Sequence, residues 1–267
     1  MTEVLDGVLA DLAAESEQLE QWVAGLDEAG WRTPTPAEGW DVATSIAHLA
    51  WTDEVAVLAA KSLTGPEGKQ AWDDLVMQAL QDPTGIVDAR ALEGGKATPA
   101  DLLQRWRAAR PELAMALRAV EPGQKMPWFG PWMSPTSMAT ARFMETWAHA
   151  LDVADALGLS PTPTDRIKHV AHIGVRTRNF AFANYGLEAP AEEFGIELTS
   201  PSGEQWVWGP QDAAQTVSGP AYDFCLLVTQ RRHRDDLALT ATGADADKWL
   251  DIAQAFAGPS GGGRQPS

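Results

Sequence analysis

Apolar residues recur every three or four positions through about the first 185 residues, which is the spacing of one helix face. The first predicted helix runs from residue 2 to about residue 26. The same spacing predicts helices over about 42–63, 70–92, 98–120, 137–157 and 165–184. Asp41 and Thr98 are suited to cap the second and fourth of these, and Gly158 to end the fifth. The third is expected to be interrupted at Pro83-Thr84-Gly85.

The pattern changes in the last third of the chain. GIELTSPSGEQWVWGP, residues 195–210, alternates like two short strands around the turn PSGE and predicts a hairpin. A helix is expected in AYDFCLLVTQRRH, a strand in LALTATG and a closing helix in ADKWLDIAQAFA. The predicted fold class is mainly α: a helical bundle over residues 1–187, followed by a small α+β domain over 188–257. Residues 258–267, GPSGGGRQPS, are expected to be a disordered tail.

Composition and charge narrow the possible partners. The formal net charge of −17 at pH 7 repels phosphate backbones and anionic membrane surfaces, so neither nucleic acid nor a membrane is expected as a partner. No apolar run is long enough to cross a bilayer and no signal peptide opens the chain, so a soluble, cytoplasmic protein is expected. The single cysteine, Cys225, lies in the apolar run FCLLV and is interpreted as a small buried side chain.

Three residues of the fifth predicted helix carry candidate chemistry. Glu145, His149 and Asp152 stand at i, i+4 and i+7, so they share one face within about 60°. A glutamate and a histidine one turn apart can hold one metal ion, and His48 of the second helix would supply a third ligand if the two helices are neighbours. The alternative interpretation is a hydrogen-bonded core histidine at His48 and an ordinary ion pair between Glu145 and His149.

Two segments resemble a known family. GWDVATSIAHL at 39–49 and METWAHALDVADALG at 144–158 resemble the N-terminal domain of mycothiol-dependent maleylpyruvate isomerase, a group of DinB-like metal-binding four-helix bundles; the resemblance covers about residues 1–160. It implies a divalent metal, typically zinc, on His48, Glu145 and His149, and a functional role for Asp152. Asp152 would act either as a proton relay or as a group that orients His149.

The resemblance extends less specifically to arginines. An arginine late in a helix of the family's C-terminal domain binds an anionic group of thiol or substrate, which corresponds here to Arg231 or Arg232 in TQRRHR. Arg90 is a further candidate, although no motif anchors it.

The implied partners are a small-molecule substrate and a low-molecular-weight thiol, with mycothiol as cosubstrate. The metal would activate the thiol for addition to a double bond. The resulting single bond would rotate, and elimination of the thiol would restore the double bond in the trans product. Two alternatives remain open: a thiol-independent hydrolase, epimerase or cyclase with the same metal, and a binding module of the sterol-carrier type with a vestigial bundle. The Trp-rich loop at 127–132 would either roof the substrate pocket or plug the space between two helices.

Overall fold

A computed structural model describes residues 2–266, so Met1 and Ser267, the outer ends of the predicted first domain and tail, lie outside the described residues. The chain divides into two compact units, Met1–Ser160 and Pro161–Ser267. The helices are α1 (Thr2–Val23), α2 (Glu28–Trp31), α3 (Val42–Lys61), α4 (Pro66–Gln81), α5 (Ile86–Gly94), α6 (Pro99–Ala119), α7 (Pro135–Leu157), α8 (Lys168–Arg176), α9 (Arg178–Asn184), α10 (Ala221–Val228) and α11 (Ala244–Ile252). The strands are β1 (Gly195–Thr199), β2 (Gln205–Trp208), β3 (Thr216–Pro220) and β4 (Thr240–Thr242).

Capping side chains mark the starts of α3 and α6, and a glycine marks the end of α7. Asp41 Oδ1 accepts a hydrogen bond from the Thr44 N–H at 2.7 Å at the start of α3, and Thr98 caps α6 in the same way. Gly158 ends α7 with a φ of 66°, a left-handed conformation that glycine adopts without strain. These predicted ends are confirmed.

Four helices form the bundle of the first unit. α3 packs against α6 and α7, and α1 packs against α7 and α6, so the four stand at the corners of a square. α3 is buried around nearly its whole circumference because α4 and α5 cover it as well. Its face toward α6 joins a core cluster with Leu102, Leu103 and Trp106. The predicted four-helix bundle is confirmed.

The break between α4 and α5 lies at Pro83-Thr84-Gly85, as predicted, although α4 begins at Pro66 rather than near residue 70. The Trp-rich loop is closed by a bridge between Met126 and Met133. Its Trp128 and Phe129 rings pack on Trp72 of α4, with centroid distances of 6.3 and 5.4 Å. The loop therefore packs against α4 of the bundle.

The second unit combines a four-stranded sheet with short helices. The strand order is β2-β1-β3-β4, with β1 and β3 parallel and the two outer pairs antiparallel. The predicted hairpin is confirmed as β1 and β2. Phe224 of α10 and Phe194 both contact Trp249 of α11 edge to face, at 5.7 and 5.8 Å between ring centroids, and form the centre of this core.

Several details of the second unit differ from the sequence prediction. Residues 165–184 form a 3₁₀ turn, α8 and α9 rather than one stretch, and β3 was not predicted. α8 packs on α10 and α9 on α11, so these helices belong to the second unit although the boundary was predicted at 187/188. In the predicted tail, the Asn184 side chain donates a hydrogen bond to the Gly258 carbonyl at 2.9 Å.

Among residues 2–266, no helix combines the length and the apolar character needed to cross a bilayer.

Candidate metal centre

Three side chains from α3 and α7 converge on one point of the bundle interior. His48 Nε2 lies 3.3 Å from Glu145 Oε2, and His149 Nε2 lies 3.5 Å from the same oxygen. One donor atom from each of the three residues lies within 4.8 Å of the other two. His48 is 6% exposed, and the carboxylate of Glu145 is the most accessible of the three groups at 26%. The helices that the spacing argument required to be neighbours are therefore in contact.

Burial sets the protonation state of this cluster. Burial and the positive charges of His149 and Arg142 lower the pKa of His48, whereas the hydrogen bond to Glu145 raises it. The net result is a pKa of about 4. Burial also opposes ionisation of Glu145, but the hydrogen bonds and charges of His149 and His48 outweigh it and hold the pKa of Glu145 well below its usual value. At neutral pH His48 is neutral and Glu145 is a carboxylate, the forms that bind a cation.

The two imidazoles differ on the side that faces away from Glu145. His149 Nδ1 lies 3.3 Å from Oδ2 of Asp152, which is 1% exposed. His48 Nδ1 is buried and has no hydrogen-bond partner within residues 2–266. A metal-bound histidine is generally oriented by a group that accepts its second N–H. Among the described residues, Asp152 lies close enough to His149 Nδ1 to serve in this way, and no hydrogen-bonding group does so at His48 Nδ1.

Trp40 covers both imidazoles. Its ring stacks on that of His149 at 5.4 Å between centroids with 17° between planes, and lies 5.1 Å from the His48 ring at 53°. Trp40 also lines a groove of about 450 Å³, whose other walls are the loop before α3 and the C-terminal end of α5. That volume is in the range of small-molecule sites.

The first comparison with known proteins concerns the bundle. The sequence model of the mycothiol maleylpyruvate isomerase N-terminal domain matches residues 12–154, which include all three converging side chains. The chain belongs to this family. A second model, described as wyosine base formation, matches residues 190–242 of the other unit.

Close relatives of this family member occur in Mycobacterium tuberculosis. Two proteins, from strains CDC 1551 / Oshkosh and ATCC 25618 / H37Rv, are each 52% identical to it over 256 residues. The alignment covers 96% of this chain and 97% of each relative. Both relatives are named as uncharacterized proteins.

The fold is that of the solved isomerase. A crystal structure of the mycothiol-dependent maleylpyruvate isomerase has a TM-score of 0.59 and 17% identity, and covers 89% of this chain and 92% of its own. A histidine-to-alanine mutant of that enzyme gives a TM-score of 0.58 at 16% identity, with the same coverage. The predicted DinB-like bundle with a small α+β domain is therefore confirmed as the fold.

The arginines that the family resemblance singled out do not belong to α3 or α7, the helices that carry the three converging side chains. Arg231 and Arg232 belong to the second unit and follow α10 rather than lying within it. Their side chains donate hydrogen bonds to nearby carbonyls, Arg231 to Thr229 at 2.6 Å and Arg232 to Arg231 at 2.7 Å. Arg90 is exposed on α5 and donates to Gln78 of α4 at 2.6 Å.

Two features of the site were not found by sequence reasoning. Trp40 belongs to the first motif, GWDVATSIAHL, but its place over the imidazoles depends on the loop that leads into α3. Arg142 forms a buried ion pair with Asp53, with Nε 2.9 Å from Oδ1. Arg142 stands one turn before Glu145, so the helical spacing that identified His149 could also have identified it.

Proposed function

We propose that the protein is a divalent-metal-dependent enzyme of the mycothiol-dependent isomerase or thiol S-transferase type, with His48, Glu145 and His149 as the metal ligands. The observation that carries this proposal is the convergence of two imidazoles and one carboxylate on a single position in the bundle. Two histidines and one carboxylate form a common ligand set of catalytic zinc. Zinc is therefore the metal we expect, and mycothiol the thiol, since the solved isomerase of the same fold depends on it.

Three protein ligands leave a coordination position for an exogenous group. A cation bound there would lower the pKa of a coordinated thiol, so that the thiol is present as the nucleophilic thiolate at neutral pH. His48 and Glu145 are already in the protonation states that bind a cation, so neither has to lose a proton when the metal binds at pH 7.

Asp152 and Trp40 support the site in different ways. Asp152 Oδ2 lies 3.3 Å from Nδ1 of His149. A proton on that nitrogen would leave the Nε2 lone pair for the cation, so we assign Asp152 an orienting role rather than that of a proton relay. Trp40 covers the imidazoles with its ring and thereby limits the access of water from that side. The groove beside Trp40 is lined by other residues than the three ligands, and we propose it as a space for a small organic substrate that Trp40 joins to the metal centre. The role of Arg231 or Arg232 in holding an anionic group stays a prediction.

The test begins with metal content and thiol binding. We expect the protein to bind about one equivalent of Zn²⁺ or Co²⁺ by elemental analysis and titration. With Co²⁺ in the site, added mycothiol should produce a thiolate-to-cobalt charge-transfer band in the near ultraviolet. His149→Ala should abolish both, whereas His233→Ala, a change in the second unit outside the cluster, should abolish neither.

Turnover then separates the candidate functions. With maleylpyruvate as the trial substrate, isomerisation should require both the metal and mycothiol. Turnover without a thiol that a chelator abolishes would contradict the thiol-dependent proposal and favour a metal-dependent hydrolase, epimerase or cyclase. Protein that binds no divalent cation would contradict the whole assignment.

A further inference from the structure

A buried ion pair joins the two helices that carry the metal ligands. Arg142 of α7 and Asp53 of α3 are 2% and 3% exposed, and Arg142 Nε donates to Asp53 Oδ1 at 2.9 Å. Neither residue belongs to the ligand cluster. The pair is nevertheless close to it, since Arg142 stands one turn before Glu145 on α7 and Asp53 five residues after His48 on α3.

Two contacts fix how α3 and α7 lie against each other. His48 touches Glu145, and Asp53, five residues later on α3, touches Arg142, three residues earlier on α7. The helices are therefore antiparallel, with two polar contacts spaced along their interface by about 4.5 to 7.5 Å of helix rise. A slip of one helix by a single turn, about 5.4 Å, would break both contacts.

Stability alone does not explain this ion pair. Arg142 Nη2 is buried and finds no hydrogen-bond partner in the described part of the chain. A buried ion pair with an unused donor contributes little net stability, because the cost of removing both charges from water is repaid only when all their hydrogen bonds are made. Apolar side chains of similar volume would serve a purely structural contact as well or better.

We propose that Arg142 and Asp53 are positioning residues, which hold α3 and α7 in the register where His48 meets Glu145 and His149. The inference rests on the proposed function, since it concerns the same metal centre. The ligand set needs this register because its members come from two helices, and a displacement well below one turn separates His48 from the other two. A directional hydrogen bond between charged groups favours one register, whereas apolar contacts accept several.

The decisive variant is the double substitution Asp53→Leu/Arg142→Met. It leaves no unpaired charge in the core, so we expect its urea midpoint to lie near that of the wild type, while either single change leaves one charge buried alone and lowers the midpoint strongly. Unlike the urea midpoint, Co²⁺ binding by the double variant should not return to the wild-type level. We expect the dissociation constant of the double variant to remain about 10- to 100-fold higher than that of the wild type, with a changed d–d spectrum.

The matched control removes another ion pair of α3. Glu54, adjacent to Asp53, pairs with Arg105 of α6 at 2.6 Å and is half-exposed. Glu54→Gln/Arg105→Met should leave the Co²⁺ affinity and spectrum unchanged.

The outcomes separate this inference from the proposed function. Wild-type protein that binds no Co²⁺ overturns both. If the wild type binds Co²⁺ and the Asp53→Leu/Arg142→Met variant binds it equally well with the same spectrum, the positioning role alone is overturned. The positioning role is supported if the double variant has a urea midpoint near that of the wild type but binds Co²⁺ more weakly and with an altered spectrum. If the pair were merely structural, all three measurements on the double variant would match the wild type.

Discussion

Acid should destabilise the metal-free protein through His48. The imidazole is buried and its pKa is about 4 in the folded chain, against 6.5 for an unperturbed histidine. Between these values the unfolded chain binds a proton that the folded chain does not. The free energy of unfolding therefore falls as the pH drops below 6.5, and the loss is complete below pH 4.

The magnitude follows from the two pKa values. Each pKa unit corresponds to about 1.4 kcal/mol, so the complete loss is about 3 kcal/mol. At pH 5 about 2 kcal/mol of it has already appeared, because the unfolded imidazole is then almost fully protonated and the folded one is still mostly neutral. Glu145 adds nothing in this range. Its pKa in the folded chain lies well below 4.5, so its stabilising effect is lost only at lower pH.

The assay compares urea unfolding of the wild type and His48→Asn at pH 7, 6 and 5, with a chelator present to keep both proteins free of metal. The other titrating groups are present in both proteins, so the difference between the two curves reports His48 together with its effect on the pKa of Glu145. We expect the wild type to lose about 2 kcal/mol more than the variant between pH 7 and pH 5. Curves that fall in parallel would show that His48 is not held neutral by burial, and would refute the argument for a preformed neutral ligand.

Two further changes test the orientation of His149 and the start of α3. Asp152→Asn should weaken Co²⁺ binding about 10- to 100-fold in the same titration, because the carboxylate that faces His149 Nδ1 is lost; an unchanged affinity would contradict its orienting role. Asp41→Ala should lower the free energy of unfolding by about 1 kcal/mol in urea, since Asp41 Oδ1 accepts from both the N–H and the hydroxyl of Thr44; Asp41→Asn, which retains an acceptor, should lose less.

The bundle could be predicted from the sequence because its signals are local. Helical spacing and capping residues such as Asp41 and Thr98 determine where the long helices lie, and the turn PSGE identified the hairpin. The metal centre needed more than spacing. Glu145 and His149 are neighbours on one helix. His48 could be named as their partner only on the condition that the two helices pack together, and the family resemblance favoured that condition where the spacing alone does not show it.

Predictions failed where the local signal was missing or misleading. α10 ends at Val228 although TQRRH continues a helical composition, because Gln230 adopts a left-handed φ of 58°. The backbone N–H groups of Gln230 and Arg231 then bond to the carbonyls of Leu227 and Leu226, which is the closing pattern of a Schellman motif. Glycine commonly marks that position in a sequence, and glutamine does not. β3 was missed because TVSGP is short and contains glycine and proline, which normally weaken a strand.

α3 shows how one helix can serve both the core and the site. A helix that is buried on nearly all sides is expected to be apolar all round. The buried part of α3 nevertheless carries His48, Thr52 and Asp53. Each has a way to reduce the cost of burial: His48 stays neutral, the hydroxyl of Thr52 donates to the His48 carbonyl at 2.7 Å, and Asp53 pairs with Arg142. These polar groups lie on the side of α3 that meets α7, whereas Leu102 and Trp106 of α6 help to form an apolar contact on another side. The apolar cluster also includes Ala150 and Val153 of α7, so the α3–α7 interface contributes to the core and carries the directional contacts of the site as well.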